Sequence, residues 1–160
     1  MAIKKPEKRV GEPFCKFDLE STDGERYTLS RLKGSWAVLY FYPRDGTTGC
    51  TVQSCAFRDK HPTFAELGVK VLGISSNSIR SHQDFVSSNQ LPFTLLSDKG
   101  GELRKALGIR KTFWFIPGRV TFVIDPAGII RKVINSQFAF SKHAEYAAEF
   151  IKNSIVESTE

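Results

Sequence analysis

The chain has 160 residues, 41% of them apolar and 25% charged, with 13 Phe for bulky core material. That is enough to bury a core without disulfide staples, and it suits one globular domain over residues 1–160. The formal net charge of +6 is spread along the chain without a zinc-finger spacing, a basic helix or an aromatic RNA-binding motif, which argues against nucleic acid as a partner.

Three cysteines form no even, regularly spaced framework, and the start, Met-Ala-Ile-Lys-Lys-Pro, is short and polar rather than a secretory signal. A reducing intracellular setting is expected, cytoplasmic, or an organelle stroma if a transit peptide has been removed. No apolar run reaches membrane-spanning length, so no membrane partner is expected.

Residues 1–12 read as a polar, extended lead-in. The alternation Phe14-Cys15-Lys16-Phe17-Asp18-Leu19, the turn 21–25 and Arg26-Tyr27-Thr28-Leu29 predict a β-hairpin. Ser30–Gly34 is a short helical turn closed by glycine. Trp36–Tyr42 is a nearly continuous apolar run, the mark of a strand buried on both faces. A helix is predicted from Cys50 to about Lys60, broken at Pro62 before a shorter piece at Phe64–Leu67. Val69–Ser75 is the next strand, and Ser78 caps a helix to about Asn89 that carries Ile79, His82, Phe85 and Val86 at helical spacing.

A short strand at Phe93–Ser97 and a short helix at Gly101–Leu107 follow. Arg119–Asp125 and Ile129–Asn135 form a second hairpin around Pro126-Ala127-Gly128, and a helix begins at Ser141 with Ala144, Ala147, Ala148, Ile151 and Ile155 on one face. The order predicts an α/β fold: a mixed central sheet flanked by helices, joined by right-handed crossovers, with an N-terminal β-hairpin. Ligands in such folds sit at the carboxyl ends of the strands, where Cys50 lies.

A cysteine in the first turn of a helix faces backbone N–H groups without intrahelical partners, which favour a thiolate able to attack an electrophile. Thr47 can offer a hydroxyl to the sulfur or to a substrate, and Pro43 fixes the chain at the strand end and screens the sulfur from water. A cation is required as well, and spacing leaves Arg119, Arg44 and Arg58 open. His61, His82 and His143 are isolated and Cys50/Cys55 lack zinc spacing, so no metal is expected; the loop 45–49 lacks the lysine of a phosphate loop.

Pro43-x-x-x-Thr47-x-x-Cys50 resembles the PxxxTxxC signature of peroxiredoxins, and Cys50-Thr51 through Cys55, Phe57, Arg58 and Asp59 resembles their Q-type branch, the bacterioferritin comigratory proteins. Gly118–Asp125 and Asn135-x-Gln137-Phe138 continue the likeness over roughly residues 10–152. The resemblance implies a thioredoxin-like peroxiredoxin fold and a cofactor-free thiol peroxidase acting on hydrogen peroxide and organic hydroperoxides. It implies Cys50 as the attacking residue, Arg119 as its cation, Pro43 and Thr47 completing the pocket, and Cys55 as the resolving cysteine. It also implies a thioredoxin-like reductant. Thr48 and Cys15 stand where the branch usually has proline.

The spacing of the cysteines adds a demand. Five helical residues put their Cα atoms about 8–9 Å apart and their side chains about 140° apart. A disulfide needs Cα atoms within about 7 Å, so the first turns must unwind. The intrachain partner favours a monomer. Cys15 reads as a buried hairpin thiol, and Trp114 and Phe115 as packing residues near the site's rim. Two other readings compete: a thioredoxin-like disulfide oxidoreductase, which would want Cys-x-x-Cys, and a redox-gated binding protein in which oxidation of Cys50 and Cys55 exposes a partner surface without turnover.

Overall fold

The computed structural model describes residues 3–158. Its strands are β1 (Asp18–Ser21), β2 (Arg26–Thr28), β3 (Ala37–Phe41), β4 (Lys70–Ser75), β5 (Thr94–Ser97), β6 (Val120–Ile124) and β7 (Ile130–Asn135). The helices are α1 (Leu29–Leu32), α2 (Thr48–Glu66), α3 (Ile79–Asn89), α4 (Glu102–Ala106) and α5 (Lys142–Ser158). One mixed sheet runs in the order β2-β1-β5-β4-β3-β6-β7. The centre, β5-β4-β3, is parallel; β6 returns antiparallel to β3, and β1 antiparallel to β5.

Period-two alternation on β3 explains the layers. Val38, Tyr40 and the following Tyr42 face one side, where Phe57 and Phe64 of α2, Phe85 of α3 and Ala144, Ala147 and Ile151 of α5 complete the core. Ala37, Leu39 and Phe41 face the other side, packed with Phe14, Leu32, Leu103, Leu107 and Phe122. Helices on both faces, as expected, make β3 a strand without a solvent face.

Three details differ from the sequence reading. The predicted break at Pro62 is absent: α2 is one helix, with Pro62 inside it. Proline removes one backbone donor, but Phe57 and Phe64, both fully buried in one core, hold the two sides in line. His61 is therefore a half-buried helical residue beside Phe93.

The first hairpin strand begins at Asp18 rather than Phe14. Phe14 instead bonds the Gly128 carbonyl through its N–H and buries its ring 5.4 Å from Phe122. The lead-in, of which residues 1 and 2 lie outside the described residues, contains a 3-10 turn at Pro6–Arg9. It is tied down by Arg9 to the Leu107 carbonyl and by Gly11 to the Ile130 carbonyl.

Candidate active site

The end of β3 and the start of α2 set the site. Tyr42 is the last buried residue of the β3 run, Pro43 follows half-buried, and the chain turns through Arg44–Gly46 before α2 starts at Thr48 with Thr47 as its N-cap. Thr51 is the first residue to bond back, to the Thr47 carbonyl, so the N–H groups of Thr48, Gly49 and Cys50 have no intrahelical acceptor. Cys50 is fully buried at this positive end of the helix.

Two donors converge on its sulfur. The Arg44 backbone N–H and the Arg119 Nη2 each lie 3.5 Å from Cys50 Sγ. Of the three arginines that spacing left open, Arg119 is the one whose guanidinium reaches the sulfur. Arg44 contributes its backbone while its side chain is exposed, and Arg58 is committed to the Asn89 carbonyl at 2.9 Å. The charge on Arg119 stabilises a negative sulfur and would equally stabilise negative charge growing on a bound leaving group.

Arg119 is itself held from every side, which a mobile surface arginine would not be. Its Nη1 donates to Gln53 Oε1, its Nε to the Gln137 carbonyl at 3.0 Å and its backbone N–H to Gln137 Oε1 at 3.1 Å. The Phe140 ring lies 4.8 Å from the guanidinium carbon, and that ring also presses on the helix start. A Cβ at Gly49 would stand 2.6 Å from it, so only glycine lets the first turn approach this closely.

Thr47 is placed beside the site but not on the sulfur. Its hydroxyl donates to the Arg44 carbonyl at 3.1 Å, and its carbonyl accepts from the Thr51 N–H and hydroxyl. Thr47 thus braces Arg44, whose N–H reaches Cys50. Pro43 immediately precedes that N–H.

Sequence reasoning missed the polar network under this loop. Asp45 Oδ1 accepts from the Tyr42 hydroxyl at 2.5 Å, and Oδ2 accepts from Ser81 at 2.8 Å and faces His82 Nδ1 at 2.6 Å. The other ring nitrogen of His82 lies 2.9 Å from the Leu96 carbonyl, which can only accept, so that nitrogen carries a proton. The Asp45 N–H is bound by Asn77 as well, at 3.0 Å. His82 sits at helical spacing with Phe85, so the periodicity announces a core position and hides its partner.

Burial holds the Tyr40 and Tyr42 phenols well above their usual range, so they act here as neutral groups. Arg104, also buried, donates to the Tyr42 carbonyl at 3.0 Å; burial lowers its pKa, while Asp98 and Cys50 work against that. Gln53 was missed too, although its place three residues after Cys50, on the same helix face, is a usable signal.

Cys55 is on the same unbroken helix, half-buried, with Sγ 3.9 Å from Asn89 Oδ1 of α3. Cys50 and Cys55 are both free thiols, so the helix geometry that forbids their direct union is the geometry of this state. Cys15 packs at the edge of the opposite core, across the sheet from Cys50.

Comparison with known proteins gives the family. The model of the AhpC/TSA family matches residues 10–133. Peroxiredoxin Q, chloroplastic, of Suaeda salsa is 44% identical over 138 residues, 86% of this chain and 64% of the relative. The chain therefore spans just under two thirds of that protein. Peroxiredoxin Q, chloroplastic, of Populus jackii is 42% identical over 89% of this chain and 68% of its own. The crystal structure of peroxidoxin BcpB from Mycobacterium tuberculosis superposes with a TM-score of 0.83, at 32% identity, over 91% of this chain and 97% of that one.

Proposed function

The chain belongs to the AhpC/TSA family, among its Q-type peroxiredoxins, and from that premise we propose that it is a thiol peroxidase with Cys50 as the attacking residue. Its fold is the thioredoxin-like fold of peroxiredoxins. The observation that carries the reading is the pair of donors, the Arg119 guanidinium and the Arg44 N–H, on one buried sulfur at a helix start.

In this mechanism the Cys50 thiolate attacks one oxygen of hydrogen peroxide or an organic hydroperoxide. The S–O bond forms as the O–O bond breaks; the leaving oxygen takes a proton and departs as water or an alcohol. Arg119 offsets the charge through that step, and Gln53 and Gln137 keep its guanidinium from turning away. Cys50 is left as a sulfenic acid.

The first turns of α2 then unwind, Cys55 attacks the sulfenic sulfur, water leaves and an intrachain disulfide forms. A thioredoxin-like dithiol reduces it by exchange, becoming a disulfide itself. The protein works as a monomer in a reducing compartment, cytoplasm or organelle stroma. Neither cofactor nor metal takes part in the cycle, because sulfur and the donor thiols carry both electrons.

Peroxide consumption coupled to a thioredoxin system tests this. Wild type is expected to turn over repeatedly and Cys50→Ser not at all. Cys55→Ser completes one oxidation and then stalls. Full turnover by Cys55→Ser would remove Cys55 from the cycle. One stoichiometric oxidation of wild type that no donor reverses would favour redox-gated binding over catalysis.

A further inference from the structure

The segment leading into Arg119 carries a feature that the peroxidase chemistry does not use. Thr112 and Ile116 exchange two backbone hydrogen bonds, 2.7 and 3.0 Å long, which makes Phe113-Trp114-Phe115 the tip of a tight hairpin. The three side chains are 67%, 93% and 73% exposed, so Trp114 and Phe115 are not the packing residues expected from the sequence. Phe113 and Trp114 both hold left-handed backbone, with φ of 51° and 68°. Bulky residues adopt that conformation only where the surrounding structure enforces it. The base of the hairpin is closely packed: a Cβ on Gly118 would stand 2.4 Å from the Arg110 carbonyl oxygen and 2.7 Å from the Ile109 side chain.

Two cations immediately precede the hairpin in the chain. Arg110 and Lys111 are exposed, and neither has an ion-pair partner among the described residues. With Lys5 they line a cavity of about 250 Å³ at the hairpin's side. Its acidic residue, Glu7, is engaged by Asn135, and its wall includes Gln137, which holds Arg119.

We propose that this hairpin docks the protein on an anionic lipid bilayer. The three rings enter the boundary between headgroups and acyl chains, and Arg110, Lys111 and Lys5 meet lipid phosphates. Aromatic side chains favour that boundary, and basic residues beside it are drawn to anionic headgroups. The net charge of +6 acts in the same direction.

A convex tip enters a deformable surface without needing a complementary pocket. Two copies meeting tip to tip would instead bring both pairs of Arg110 and Lys111 together, which like charge opposes. The length of the apolar runs excluded only a spanning segment; a three-residue wedge is a peripheral device, and no described helix is long and apolar enough to cross a membrane. Docking would hold the Cys50 site, three residues beyond Ile116 through Arg119, beside the surface where peroxidised lipids lie. Binding is read without turnover, so it stands or falls separately from the peroxidase reading.

The test is flotation of the reduced full chain with vesicles of phosphatidylcholine alone or mixed with phosphatidylserine. Binding is expected to the mixed vesicles and to weaken as salt is raised. Trp114 emission should move to shorter wavelength and be quenched by brominated lipid; the half-buried Trp36 is removed as Trp36→Phe in that measurement. Trp114→Ser should weaken binding about ten-fold or more. Arg110→Glu and Lys111→Glu should weaken it by at least about five-fold each. All three variants should retain turnover of hydrogen peroxide.

Three results would overturn the proposal. One is no binding to mixed vesicles, and another is binding unchanged by Trp114→Ser. The third is a dimer in solution whose Trp114 emission is already at short wavelength without lipid, which would make a second copy the occupant of the tip.

Discussion

The two halves of α2 are held by different kinds of contact. From Thr48 to Cys55 the buried residues are Cys50, Gln53 and Ser54, small or polar, held by hydrogen bonds from Arg119 and by one shared between the Ser54 and Tyr40 hydroxyls. From Ala56 to Glu66 the buried residues are Phe57 and Phe64; the Phe57 ring stacks 4.3 Å from Tyr40. Water can replace a hydrogen bond at small net loss, whereas a buried ring returned to water loses its full transfer free energy. The unwinding proposed above would therefore cost least at the end that carries both cysteines, while the other end stays anchored, although Pro62 lies in the anchored half.

Hydrogen exchange probes this contrast with the largest expected effect. On oxidation, amides of residues 48–55 should lose protection toward the level of an unstructured segment, while those of 57–66 stay slow. Equal protection of residues 48–55 in both redox states would break the comparison. Phe57→Ala should destabilise the fold by about 3–5 kcal/mol in denaturant titration, against about 0.5 kcal/mol or less for the exposed Val52→Ala.

Arg119→Met, which removes the charge that closes the first half, should slow Cys50 oxidation by about 10²–10³-fold in stopped-flow measurements. A loss below ten-fold would show that the Arg44 N–H and the helix start suffice.

His143 sharpens the comparison from the scaffold side. Its Nδ1 accepts from the Thr121 hydroxyl at 2.7 Å and its Nε2 donates to the Ser136 carbonyl at 2.9 Å, which fixes α5 to β6 near Arg119. Burial pushes its pKa down from 6.5 to about 4; the Ser136 bond works against that shift and the Arg119 charge adds to it. The unfolded chain then binds the proton more readily than the folded one. Stability from this group is complete above pH 6.5 and declines as pH falls toward 4, by about 3 kcal/mol, with no further change below. Denaturation midpoints across that range should follow this course, and His143→Gln should flatten it.

A small stabilising effect is expected from Thr48→Pro. Thr48 is the first helical position, where proline is favoured, and Thr47 before it already has the extended backbone, φ −78° and ψ 152°, that proline requires. A gain of about 0.4–1 kcal/mol should appear in denaturant titration, with slower formation of the disulfide in the variant.

Local patterns carried much of this protein in the sequence alone. The apolar run at Trp36–Tyr42 announced a central strand, Ser78 a helix cap that the structure realises on the Ser81 N–H, and Pro126-Ala127-Gly128 a hairpin turn. The demand that Cys50 and Cys55 meet only through unwinding follows from helix geometry, since it depends on five residues and no others. These features were legible because each is decided by neighbours in sequence.

Tertiary structure decided what depends on residues far apart in the chain. Arg119 was one of three open arginines until the sheet put β6 beside β3 and brought it 69 residues back to Cys50. The Asp45–His82 pair spans 37 residues, and Phe113-Trp114-Phe115, core material by its apolar pattern, is exposed in the fold. Even the continuity of α2 through Pro62 was settled by packing, because Phe57 and Phe64 enter one core and outweigh a single missing backbone donor. Periodicity tells which side chains share a face, but only the folded sheet tells what that face meets.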